Sequence, residues 1–238
     1  MTVEMRSRPW IAALLGGFFG AALVLLGLFA ASRLGFGDRL VREALQRQPE
    51  MLIEASDALR DRQFQPVLAA NRQALETPFG SAWDGAAKPE VTLVEFYDYA
   101  CGYCKASLPV IDRLLKEDPG LRIVYREFPI LGPQSEAASR LALAAAKAGR
   151  FEQFHDALYA AGRPSPDTLR QAAEAAGIPF VPPQAPEIDA ELRKNFQLAN
   201  TLGATGTPLF VVGDRVLNGA VGYDVLKQAI DHARSAPR

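Results

Sequence analysis

A small mixed α/β sheet interrupted by a helical insertion is the fold the sequence predicts. Three observations predict it. Two apolar strand-like runs flank a helix-like run, which is the order of a βαβ unit. A long Ala- and Leu-rich helical stretch follows. Two short apolar runs then surround a Gly-Asp turn ahead of a closing helix. The chain's only two cysteines, Cys101 and Cys104, stand inside the βαβ unit.

The first element lies before that sheet. Trp10 to Ala31 is a run of 22 residues without a charge, preceded by Arg6 and Arg8. A stretch of that length can cross the hydrocarbon core as a helix. Ala30-Ala31-Ser32 also offers a small-residue cleavage site. Residues 1–37 therefore read as an uncleaved anchor through 10–31, or as a signal segment with secretion after cleavage. Either route exports the remainder. The arginines on both sides, including Arg33, leave only a weak charge bias, with the basic N-terminus inside.

Residues 38–64 carry apolar side chains at helical spacing. Leu45, Leu52 and Leu59 recur every seven residues, the repeat of a helix–helix seam. Pro49 predicts a break between two short helices. The segment reads either as an amphipathic pair packed on the main domain or as a self-association element. Residues 65–88, with two prolines and two glycines, read as a short helix and a linker.

The main domain is expected over 89–238. Val91 to Tyr97 is a buried strand, and Lys105 to Lys116 a helix. Leu121 to Phe128 alternates apolar and polar residues as a second strand, ending at Pro129. A right-handed crossover makes the two strands parallel. Residues 134–200 are largely helical, with stops at Gly149, Gly162, Gly177 and Gly203 and a cap at Ser165. Leu209 to Val212 and Val216-Leu217 flank Gly213-Asp214-Arg215 as a hairpin. Tyr223 to Ala233 closes the fold.

The chemistry is carried by Cys101-Gly102-Tyr103-Cys104. A dithiol at a strand-to-helix turn is a redox device. Its first sulfur meets the positive end of the helix dipole, which favours the thiolate, the species that attacks disulfides. Cys101 is thus the expected nucleophile, nearest solvent. Cys104, one turn on and shielded, is the expected resolving thiol. Gly102 and Tyr103 occupy the positions that tune the pair. A four-ligand zinc site does not fit, because His155 and His232 are far away in sequence and look like ordinary helical residues. A net charge of -1 gives no nucleic-acid footprint.

Taken together, this order resembles the thioredoxin fold with an inserted helical domain of the DsbA-like exported thiol-disulfide oxidoreductases. Cys101-x-x-Cys104 after an apolar strand, Glu95 six residues before it, and Gly206-Thr207-Pro208 ahead of the hairpin carry the match. Residues 38–64 also look like the N-terminal segment of the ScsC-type subfamily. The resemblance implies that Glu95 is a buried acid relaying a proton to Cys104. It further implies that Thr207-Pro208 is a cis-proline loop that faces the dithiol and binds substrate backbone. Without it, Thr207-Pro208 is a turn and its bond is expected trans.

The resemblance also implies a function. The chain would exchange its Cys101–Cys104 disulfide with exported proteins, foremost as an oxidase recharged by a DsbB-type membrane partner. The alternative is a ScsC-type isomerase or reductase, oligomeric through 38–64 and kept reduced by a DsbD-type partner. The lack of a histidine at position 103 implies a less oxidising pair than the strongest members. No dissociable cofactor is implied, since the cysteines are the redox couple. Two thiolates also suit Cu(I), so a copper chaperone is a further alternative, although only three Met accompany them.

Overall fold

Val91–Tyr97 (β2) and Leu121–Glu127 (β3) pair in parallel, the arrangement that the helix Gly102–Glu117 (α3) between them requires. The structure, a computed structural model, describes residues 36–235. The run 10–31, expected as an anchor or signal, lies outside the described residues. Among those described, no helix is long and apolar enough to cross a membrane.

Two compact units divide the chain, residues 1–59 and 60–238. The first contains Phe36–Arg47 (α1) and the start of Glu50–Glu76 (α2). The break falls at Pro49 as expected. In that unit Val41, Met51, Leu52 and Leu59 are exposed. α2, however, is not short. It runs through Pro66 without ending, so Pro66 does not act as the helix stop that its missing N–H suggests.

Residues 65–88 also depart from the expected linker. The last turns of α2 bury Leu68 and Leu75 in the domain core, and Trp83–Gly85 (β1) forms an edge strand antiparallel to β3. A three-residue edge strand is too short for its alternation to show in sequence.

The second unit is built on one sheet of order β1-β3-β2-β4-β5, with β4 at Leu209–Val212 and β5 at Arg215–Asn218. The hairpin turns at Gly213, whose φ is +59° and where a Cβ would lie 2.7 Å from Ala233 Cβ. Position 213 therefore needs glycine twice over, for the turn and for the close approach of the closing helix Tyr223–Ser235 (α8).

Four helices form the insertion: Pro133–Lys147 (α4), Phe151–Ala161 (α5), Pro166–Ala176 (α6) and Pro186–Thr201 (α7). Ser165 caps α6 through a reciprocal bond with Thr168, and Gly177 ends it in the left-handed conformation, as expected.

Both faces of the sheet are covered. Leu93, Tyr97, Ile123, Tyr125 and Phe210 pack against α3, α8 and the insertion. Val94, Phe96, Val124, Phe128 and Leu209 pack against Leu68 and Leu75 of α2, Leu198 of α7 and its C-cap residue Leu202. At roughly 1.5–3 kcal/mol for each fully buried large apolar side chain, these two layers hold the sheet in place. The alternation in β3 is therefore not a wet and a dry face. Arg126 and Glu127 are both buried, 1% exposed each. A central parallel strand is roofed on both sides, so its charges must find partners inside.

Candidate active site

Cys101 ends the loop from β2 and is the N-cap residue of α3, with φ -80° and ψ 116°. The helix starts at Gly102, three residues earlier than the sequence suggests. Cys101 N–H donates to Asp98 O at 2.9 Å, and the thiol donates to Thr207 O at 3.3 Å. Cys101 is 7% exposed and Cys104 wholly buried, so the first sulfur is the one within reach of solvent. Both cysteines are free thiols.

Gly102 and Tyr103 lie at the rim. A Cβ at Gly102 would meet nothing within 4 Å, and Tyr103 is 70% exposed. The first position between the sulfurs is thus open to larger residues, and the second presents an aromatic ring outward.

Beneath the sulfurs, burial pushes the Cys104 thiol well above the ordinary range, and the Glu95 charge raises it further. Glu95 is itself buried, and burial first, then the Cys101 charge, lift its pKa to about 8. Glu95 is thus a buried acid that titrates near neutrality and feels the charges of both sulfurs.

Opposite the dithiol, the Thr207-Pro208 bond is cis. Pro208 is buried, Thr207 half-buried, and Pro208 O accepts from Gly219 N–H at 2.8 Å. The structure therefore brings Thr207 to the neighbouring Glu95, Cys101 and Cys104 from 106 positions beyond Cys101.

Sequence reasoning missed a polar chain beside them. Tyr97 donates to Glu127, Tyr97 and Tyr99 hydroxyls bond at 3.0 Å, and Tyr99 bonds His155 Nδ1 at 3.1 Å. Ser139 donates to the other Glu127 oxygen at 2.6 Å. Burial lifts the Glu127 pKa to about 8 and lowers that of His155 to about 3. His155 is no ordinary helical residue. Rings of Tyr97, Tyr99, Tyr125, Phe151 and Tyr159 surround it. The available signal was the hydroxyl of Tyr97 and the acid of Glu127 in strands with no wet face. Phe151, Phe154, Leu158 and Tyr159 are core.

Residues 92–231 match the family description of the DSBA-like thioredoxin domain. The chain belongs to this family. The domain is accordingly of protein-disulfide oxidoreductase type. A thioredoxin-like oxidoreductase from Silicibacter pomeroyi DSS-3 is 38% identical, with 70% of this chain and 99% of that one covered and a TM-score of 0.64. A periplasmic thioredoxin-like protein from Salmonella enterica serovar Typhimurium is 30% identical over 69% and 96%, TM-score 0.64. The catalytic domain of Proteus mirabilis ScsC is 27% identical over 72% and 99%, TM-score 0.66. The chain also spans about a quarter of the length of the curated relatives it matches, Na(+)/H(+) antiporters of Salinispora species, at 28–29% identity.

Proposed function

We propose that this DSBA-like domain exchanges disulfides with exported proteins, with Cys101 as the attacking or attacked sulfur and Cys104 as the resolving one. One observation carries the reading. Cys101 is the N-cap residue of α3 and its thiol points at Thr207 O, while Cys104 lies wholly buried within reach of the Glu95 charge. A substrate sulfur can reach only the first cysteine.

In the oxidising direction, a substrate thiolate attacks Cys101 of the disulfide. The Cys101–Cys104 bond breaks, and Cys104 leaves as a thiolate that takes the proton of Glu95. A second substrate thiolate then attacks its partner sulfur in the mixed disulfide. The substrate disulfide forms and Cys101 departs as a thiolate, stabilised by the N–H groups of the first helical turn. Two electrons pass from substrate to enzyme. Run backwards, Glu95 removes the Cys104 proton so that Cys104 can resolve the mixed disulfide. Thr207 and Pro208 line the substrate side, where an extended peptide can pair with the loop backbone. Gly102 and Tyr103 form the rim it crosses.

The inserted helices support the oxidase direction, with a DsbB-type quinone-linked partner. The second reading, a self-associated isomerase or reductase served by a DsbD-type partner, rests on exposed Val41, Leu52 and Leu59 in the 1–59 unit. An oxidising, extracytoplasmic compartment suits either, and the periplasmic setting of the Salmonella relative supports it. Residues 10–31 would hold the domain at the inner membrane, or be removed for secretion.

The test is one purification of the full chain with several readouts. A dithiol potential near about -120 mV in a monomer supports the oxidase. Activity on scrambled ribonuclease in an oligomer supports the isomerase. Tight Cu(I) binding without thiol exchange replaces both by copper capture. Cys101→Ser should abolish exchange and Cys104→Ala should accumulate mixed disulfides; full activity of Cys101→Ser overturns the mechanism.

A further inference from the structure

Asp98 is the first residue after β2 and is completely buried. Its side chain makes three bonds to backbone donors. Oδ1 accepts from Ala100 N–H at 2.8 Å, and Oδ2 accepts from Ile130 and Leu131 N–H, both at 2.9 Å. Its own carbonyl accepts from Cys101 N–H at 2.9 Å. One residue thus joins the loop that delivers Cys101 to the loop that follows β3. Bonds to a carboxylate are about twice as strong as neutral ones, so the two loops are held as one body.

What the second loop carries gives this brace a purpose. Ile130 is 40% and Leu131 50% exposed, while Tyr103, in the first turn after Cys101, is 70% exposed. Among the described residues of 60–238, five large apolar side chains stand exposed: these three, Val181 and Val225. Three of the five therefore belong to the two segments that meet at Asp98. Single exposed apolar residues mean little, but a group gathered around a reactive sulfur is a place for an apolar ligand.

We propose that Asp98 is a positioning residue. It locks the Ile130–Leu131 loop to the dithiol loop, so that apolar residues flanking a substrate cysteine are gripped while Cys101 forms the mixed disulfide. This rests on the exchange reading above. What it adds to that reading is the residue that holds the Ile130–Leu131 loop in register with the dithiol loop. Ala100, Cys101, Ile130 and Leu131 are positioned through Asp98, which itself touches no substrate.

Asp98→Asn tests the idea. An asparagine keeps one acceptor oxygen and turns an NH2 group toward backbone donors, so one of the two loops is released. Exchange is measured on the full chain with two peptide disulfides, one with leucines on both sides of its cysteine and one with serines. For the wild type, KM should be about tenfold lower for the leucine peptide. Asp98→Asn should raise that KM about tenfold and change the serine peptide less than about twofold. Ile130→Ser/Leu131→Ser should give the same selective loss, and adding Asp98→Asn to it should cost nothing further. Equal losses on both peptides, or additive losses, overturn the proposal. If Asp98→Asn does not fold, amide hydrogen exchange of the wild type decides: Ile130 and Leu131 N–H as protected as Cys101 N–H support the brace, and fast exchange of the two overturns it. A wild type that exchanges neither peptide sinks the exchange reading itself, before Asp98 is in question.

Discussion

Glu95 and Tyr125 stand opposite each other across the parallel pair β2 and β3, and two residues along the same face Tyr97 and Glu127 do the same. The register places two buried acids diagonally on the sheet face that carries the dithiol. Each is held near a pKa of about 8, chiefly by burial. Their roles separate by their neighbours. Glu127 is tied down by Tyr97 and Ser139, whereas Glu95 is raised by the Cys101 charge and itself raises Cys104.

Resolution of the mixed disulfide should therefore follow the ionisation of Glu95. As a base it acts only when deprotonated, so the rate should rise with pH through about 8 and then level off. Glu95→Gln should flatten this limb and slow the step by about 10²-fold, the usual weight of a positioned base. Stopped-flow release of a fluorescent peptide thiol from the Cys101 mixed disulfide measures it. An unchanged profile in Glu95→Gln would remove Glu95 from the mechanism.

Stability should depend on pH in a way set by three buried groups. Glu95 and Glu127 keep their protons to about pH 8 in the folded chain, but an unfolded chain releases them near 4.5. Between those values the folded state binds more protons, so stability falls as pH rises. His155 works oppositely. It stays neutral down to about pH 3, while an unfolded histidine takes up its proton near 6.5. Stability therefore rises with pH across that lower window. The three together place the maximum close to pH 4.5, with the steepest loss between 6.5 and 8. Urea unfolding of the reduced full chain at pH 4.5, 6.5 and 8 should show this order. Glu127→Gln should halve the slope between 6.5 and 8, because one of the two titrating acids is gone.

How much of this was legible follows from what kind of signal each part leaves. The dithiol, the strands, the break at Pro49 and the four insertion helices are local patterns, and the chain writes them plainly. Glu95 and Thr207-Pro208 were legible only through resemblance, because their meaning depends on what faces them. Asp98 and His155 left no local trace, and Glu127 only that of an acid in a strand with no wet face. What each one meets is invisible in its own neighbourhood: Ile130 and Leu131 for Asp98, Tyr97 and Ser139 for Glu127, Tyr99 for His155. β1 and the buried end of α2 were hidden for a similar reason. Pro66 and the prolines and glycines of 65–88 suggest a linker, and only packing of Leu68 and Leu75 overrides them.

Arg126 was hidden in the same strand and holds more of the fold than any other charge there. Its guanidinium pairs with Glu191 at 2.5 Å, contacts Asn195 Oδ1 at 3.3 Å, and bonds the carbonyls of Ala74, Leu75 and Thr77 at the end of α2. Asn195 in turn donates to Glu127 O at 3.1 Å. The last carbonyls of α2 lack partners within the helix, and a buried cation suits that end of its dipole. Burial works against the Arg126 charge and the Glu191 carboxylate sustains it. Arg126→Met should therefore cost about 3–5 kcal/mol, since it leaves Glu191 only the half-exposed Lys194 at 3.2 Å and strands the α2 carbonyls. Arg126→Met/Glu191→Met should recover part of that loss by removing that buried charge, but not all, because the carbonyls of Ala74, Leu75 and Thr77 stay unmatched. Urea denaturation of the full chain gives each value. A double variant as unstable as Arg126→Met would mean that the carbonyls, and not the ion pair, set the cost.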